Sequence, residues 1–226
     1  MAIEDDLNEA EQVERLFAWW RENWAWLLSG VALGVLVIIG WFYWTGSQTA
    51  NAEQAGQLYR QLVAASNGND FGRMESLREQ LEQDHGSTPY ADQGSLLVAR
   101  MYVETGEYEK ATVLLRAVMS DATDTELRAI AKLRLARVLI EMDRADEALA
   151  LLQPDAAGAF TGLEQQVRGD AFFAKGDREA ARAAYAAALT AAETLGAEDR
   201  QFVELKLQDL GPESAAPAAA SGQASP

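Results

Sequence analysis

His85 is the single histidine in 226 residues, and Glu79, Glu82 and Asp84 stand just before it. An imidazole near carboxylates invites a divalent cation. One imidazole on a solvated helix face is too few ligands, so no metal is expected. No nucleophile stands beside a base, no glycine-rich loop offers to cradle phosphate, and no HExxH pair occurs. The chain has no cysteine. Thiolate zinc sites, cysteine nucleophiles, disulfides and lipid attachment through cysteine are thereby excluded. The other carboxylates scatter at helical surface spacing. No catalytic residue and no cofactor are expected, and the chain does not read as an enzyme.

Arg100 and Arg137 carry a different chemistry. They occupy the same place in two internal repeats, and two stacked guanidinium groups can hold a carboxylate or a backbone segment. Each also has a glutamate four residues on, Glu104 and Glu141. Pairing within the helix is the competing use, weak in this Arg-before-Glu order.

Those repeats define the architecture. "LLVARMYVETGEYEKATVLL" (Leu96 to Leu115), "LRLARVLIEMDRADEALALL" (Leu133 to Leu152) and "QVRGDAFFAKGDREAARAAY" (Gln166 to Tyr185) align at offsets of 37 and 33 residues. A small residue recurs at Ala99, Ala136 and Gly169. A larger apolar one follows at Tyr102, Leu139 and Phe172. Turns fall at Gly106, Asp143 and Gly176, and an alanine opens the next helix at Ala111, Ala148 and Ala181. A repeat of about 34 residues with this pattern is the tetratricopeptide signature. Small side chains let the two helices of a pair approach, and neighbouring pairs stack because one pair cannot bury its own apolar face. The expected fold is all-α, a helical solenoid. Residues 53 to 86 read as a degenerate first pair with its turn at Asn67 to Asp70, and 197 to 210 as a capping helix. The concave face of such an array binds extended or helical segments. By register it is expected to present Leu96, Arg100 and Val103, then Leu133, Arg137 and Ile140, then Gln166, Asp170 and Phe173.

Ahead of the repeats, no charge occurs from Asn23 to Ala52. The heart of this stretch, Leu27 to Trp44, spans about 27 Å as a helix, close to the hydrocarbon thickness of about 30 Å. Trp24 and Trp26 before it and Trp41, Tyr43 and Trp44 after it form aromatic girdles suited to the two headgroup interfaces. The run is too long, and the preceding segment too acidic, for a cleaved signal. An uncleaved membrane anchor is expected. Gly30 and Gly34 are either a helix-contact pair or ordinary glycines of a membrane helix. Arg15 and Arg21 precede the span, and the next basic residue is Arg60. The positive-inside rule then puts the N-terminus in the cytoplasm. "EAEQVERLFAWW" (Glu9 to Trp20) reads as an amphipathic helix, with Val13, Leu16, Phe17 and Trp20 on one face, lying at the cytoplasmic interface or docking a cytoplasmic partner. The expected layout is a cytoplasmic segment 1–22, a transmembrane helix 23–46, a periplasmic solenoid 47–210 and a disordered tail 211–226. The net charge of −16 argues against nucleic acid and against broad contact with anionic lipid. Lipid is a partner only along the anchor.

"EQVERLFAWWRENW", "GWFYW" and "LRLARV", in this order, resemble the YfgM-type family of ancillary SecYEG translocon subunits. The resemblance covers about residues 10 to 210. It implies an inner-membrane protein with a periplasmic helical domain, associated with the SecYEG translocon and with a PpiD-type periplasmic chaperone. It further implies help in passing newly translocated, unfolded secretory polypeptides to periplasmic folding factors, with no catalytic residues to carry over. The alternative is an envelope-assembly or cell-division scaffold that holds one dedicated partner.

Overall fold

The computed structural model describes residues 2–153, 159–191 and 195–211, with side chains from residue 13 onward. The expected disordered tail lies almost wholly outside the described residues. The described residues are helical throughout: α1 (Ala2–Asn67), α2 (Phe71–His85), α3 (Pro89–Glu104), α4 (Tyr108–Asp121), α5 (Thr125–Glu141), α6 (Ala145–Leu151), α7 (Thr161–Ala174), α8 (Arg178–Thr190) and α9 (Ala197–Asp209). Two compact units divide at Gln54 and Ala55, inside α1.

In the first unit α1 contains a stretch long and apolar enough to cross a membrane. Val31, Leu36, Ile38 and Ile39 all lie exposed on it. Where the sequence turns polar, the hydroxyls find partners within the helix. Thr45 donates to the Trp41 carbonyl at 2.9 Å, Ser47 to Trp44 at 2.7 Å and Thr49 to Thr45 at 3.0 Å. Hydroxyls bonded back to their own helix need no water, which suits a chain leaving hydrocarbon.

The second unit is the solenoid. The end of α1 pairs with α2, α3 with α4, α5 with α6 and α7 with α8, and α9 follows. Every pair is closed by the same turn. Asn69 (φ 53°), Gly106 (φ 78°), Asp143 (φ 58°) and Gly176 (φ 79°) each adopt the left-handed conformation one or two residues past the first helix. In each case that residue donates to a carbonyl three back, and the next donates to a carbonyl five back. The second bonds are Asp70 to Ala65 at 2.9 Å, Glu107 to Tyr102 at 2.7 Å, Arg144 to Leu139 at 2.8 Å and Asp177 to Phe172 at 3.0 Å. This is the Schellman motif four times over. Glycine takes the conformation without strain, and Asn and Asp are the side chains that best tolerate it. The degenerate first pair, weak in its side-chain pattern, therefore shares its backbone turn with the other three.

Between the helices of a pair, size is conserved as a sum. Ala99 and Leu115 are buried in the first clear repeat, Ala136 and Leu152 in the second. The third pairs Gly169 with Tyr185. A Cβ on Gly169 would lie 2.3 Å from the Tyr185 ring, so the bulkier second-helix side chain requires the smaller first-helix residue. Gly211 (φ 74°) ends α9 as Gly176 ends α7. Counting back from it, Glu204 stands at the small position and is exposed. A carboxylate stands there in place of the alanine or glycine at which α3, α5 and α7 meet their partner helices.

Two expectations follow. Gly169→Ala should cost about 1–3 kcal/mol by overpacking. Adding Tyr185→Leu, which recreates the alanine–leucine pair of the other repeats, should cost less than the two single changes summed. Thermal or urea unfolding of the detergent-solubilised chain gives that cycle, and strict additivity would refute the pairing.

Asp92, in the first turn of α3, has its carboxyl pushed up to about 6, first by burial and then by Glu82, Asp124 and Asp121. The folded state therefore holds this proton more tightly than the unfolded one. Stability should fall as pH rises from about 4 through 6. Asp92→Asn should raise the melting temperature at neutral pH, and the advantage should vanish near pH 4, the unfolded carboxyl's own range.

Candidate functional site

The first helices of successive pairs line up: α3 touches α5, and α5 touches α7. Their C-terminal halves carry residues that line two hollows. Three expected groove residues reach neither of them. Leu96, Leu133 and Gln166 are only 5%, 5% and 4% exposed. Contact between successive first helices covers their position, so they belong to the core. Gln166 brings an amide where its counterparts bring leucines, and its Oε1 is buried without a hydrogen-bond partner among the described residues.

The other six positions are at least partly open. Arg137, Ile140, Glu141, Asp170, Phe173, Ala174, Tyr185, Lys206 and Asp209 line a concavity of about 410 Å³. Phe173 is 52% exposed and Ile140 half-buried, so the floor is apolar. Asp170 is occupied. It accepts from the Tyr185 hydroxyl at 2.6 Å and from Lys206 Nζ at 2.5 Å. Burial, and then the hydrogen bond to Asp170, push the Tyr185 hydroxyl far above its ordinary value, so it remains a neutral donor. The Lys206 ammonium lies 5.7 Å from the Tyr185 ring centre and 4.6 Å from that of Phe202.

The two repeat-equivalent arginines part company. Arg100 Nε donates to Glu104 Oε1 at 2.7 Å and faces a smaller polar concavity, about 220 Å³, that includes Ser66, Asn67 and Asn69. Arg137 lines the larger one and makes no matching pair with Glu141 among the described residues. They therefore do not converge on one carboxylate, because each looks into its own hollow. Between them Arg134 reaches the Leu96 carbonyl at 3.4 Å. Burial first, and then the neighbouring Arg100 and Arg137, lower its pKa. Arg134 was legible in principle, one turn before Arg137. Lys206 and Tyr185 were not, because they come from α9 and the back helix α8.

Val103, in the equivalent place on α3, is half-buried. Among the described residues, no cluster of three or more His, Cys, Asp or Glu side chains is arranged to hold a metal, and His85 is buried at the end of α2. Among the described residues, the site is thus an open hollow with an apolar floor, a guanidinium without a carboxylate partner and a neutralised aspartate. It is suited to holding a polypeptide segment.

An apolar anchor helix and an array of left-handed-capped helix pairs define an anchored tetratricopeptide-like protein. The tetratricopeptide repeat-like domain family matches residues 18–212. Curated relatives named "Ancillary SecYEG translocon subunit" match over 90% of the chain. They are 32% identical in Escherichia coli (strain K12), covering 97% of that protein, 27% in Haemophilus influenzae and 25% in Neisseria gonorrhoeae, covering 98% of each. The chain belongs to this family of ancillary SecYEG translocon subunits. No solved structure matches.

Gln166→Leu should stabilise the chain by about 1 kcal/mol, because it removes a buried unpaired acceptor and restores the residue of the other repeats. Denaturant unfolding checks this, and a loss of stability would mean that the amide has a partner in solution.

Proposed function

We propose that this chain is a single-pass inner-membrane subunit ancillary to the SecYEG translocon. Its N-terminus is cytoplasmic and its solenoid periplasmic. The solenoid receives newly translocated polypeptides and passes them to a PpiD-type chaperone. No covalent chemistry is involved. The relatives' names support the translocon association, and Arg15 and Arg21 support the orientation. The observation that carries the reading is the hollow of Arg137, Ile140 and Phe173, an open apolar floor beside a cation that pairs with no carboxylate among the described residues. Such a surface accepts many sequences weakly. Tethering beside the exit site raises the local concentration, so weak binding suffices.

The test pairs two measurements. Mild-detergent purification should bring down translocon and chaperone subunits. A labelled, permanently unfolded polypeptide should bind the purified chain, and Arg137→Glu with Phe173→Ser should weaken that binding about tenfold, or about 1.4 kcal/mol. Both residues are exposed, so folding should survive. An array that ignores unfolded chains yet retains one partner would instead be a dedicated scaffold.

A further inference from the structure

The helix ahead of the membrane span carries a surface that the function above does not use. Val13, Leu16, Phe17, Trp20 and Trp24 recur at helical spacing on α1, and all are exposed. The small Ala18 leaves a notch bounded by Glu14, Phe17, Trp20, Arg21 and Trp24. The spacing of these residues is specific. Glu14, Phe17, Ala18 and Arg21 stand at i, i+3, i+4 and i+7, and so do Phe17, Trp20, Arg21 and Trp24. Each set of four is the diamond into which a facing helix inserts one side chain, and the two diamonds share the Phe17–Arg21 edge.

Charge narrows the occupant. Residues 1–22 hold seven acids (Glu4, Asp5, Asp6, Glu9, Glu11, Glu14, Glu22) against Arg15 and Arg21. Helices that rest on anionic lipid are basic, so headgroups repel this one. A second copy brings the same excess of acid. Cytoplasmic flanks of membrane proteins, by contrast, are rich in Lys and Arg. We propose that residues 14–24 dock a Lys/Arg-flanked juxtamembrane helix of a membrane-protein partner, its side chains entering the notch beside Ala18. The acidic flank selects for that helix. This rests on the cytoplasmic placement of the N-terminus proposed above.

The experiment uses the full chain in native membrane vesicles. Because the chain lacks cysteine, Ala2→Cys gives a unique label site. An impermeant maleimide should react only in inverted vesicles. Reaction in right-side-out vesicles would overturn the topology, and this proposal with it. In the same chain a photo-crosslinking benzoylphenylalanine replaces Phe17. It should capture a membrane protein other than this chain. The yield should fall about threefold or more when Glu4, Asp5, Asp6, Glu9 and Glu11 are changed to their amides, and again with Ala18→Trp, which fills the notch. Carbonate extraction confirms that each variant remains inserted. With the N-terminus inside, capture of lipid alone, capture of a second copy, or a yield indifferent to both changes would overturn the docking proposal and leave the topology standing.

Discussion

One backbone geometry organises the solenoid. At four junctions the second residue past the first helix takes a positive φ, and two hydrogen bonds turn the chain back on itself. Once that turn is fixed, the second helix must run antiparallel to the first at close range. In the three later repeats the turn is accompanied by a small residue on the first helix, which limits what its partner on the second may be. The first pair keeps the same turn at Asn69 with Leu62 and Met74 buried where those repeats have alanine or glycine, so the turn does not by itself impose the small residues.

The same constraint separates core from groove. Successive first helices stack edge to edge, so one register position is sealed between them and the next looks outward. Leu96, Leu133 and Gln166 fall on the sealed side. Arg100, Arg137 and Asp170, four residues on, fall on the open side. The electrostatics then differ along the open row. Glu104 engages Arg100, Lys206 and Tyr185 engage Asp170, and Arg137 is left facing the hollow. A uniform repeat thereby yields one distinctive spot.

Much of this was legible in the residues. The turns at Gly106, Asp143 and Gly176 follow from residue types that tolerate a left-handed backbone, and the apolar span follows from length and flanking rings. The open row at Arg137, Ile140 and Phe173 follows from helical period. Spacing alone could not reveal the sealed row, because helical period says that Leu96 shares a face with Arg100 but not how far the neighbouring helix covers it. Nor could it join Lys206 to Asp170, 36 residues apart and on different helices. The matched pair of Gly169 and Tyr185 is hidden in the sequence for a related reason: each residue alone is an ordinary variation, and only their contact makes one the condition of the other.

The hydroxyls that follow the aromatic cluster have a consequence of their own. Thr45, Ser47 and Thr49 are satisfied by their own helix, so immersion strips none of them of a partner. From Asn23 to Ala52 the helix carries no charge, a length of about 45 Å against a hydrocarbon slab of about 30 Å. The anchor therefore has about 15 Å of vertical play before Glu22 or Glu53 meets hydrocarbon. Within that play the preference of its tryptophan and tyrosine rings for the interface sets the height. It behaves as a buoy with a soft waterline, able to ride up or down as bilayer thickness or a bound neighbour demands.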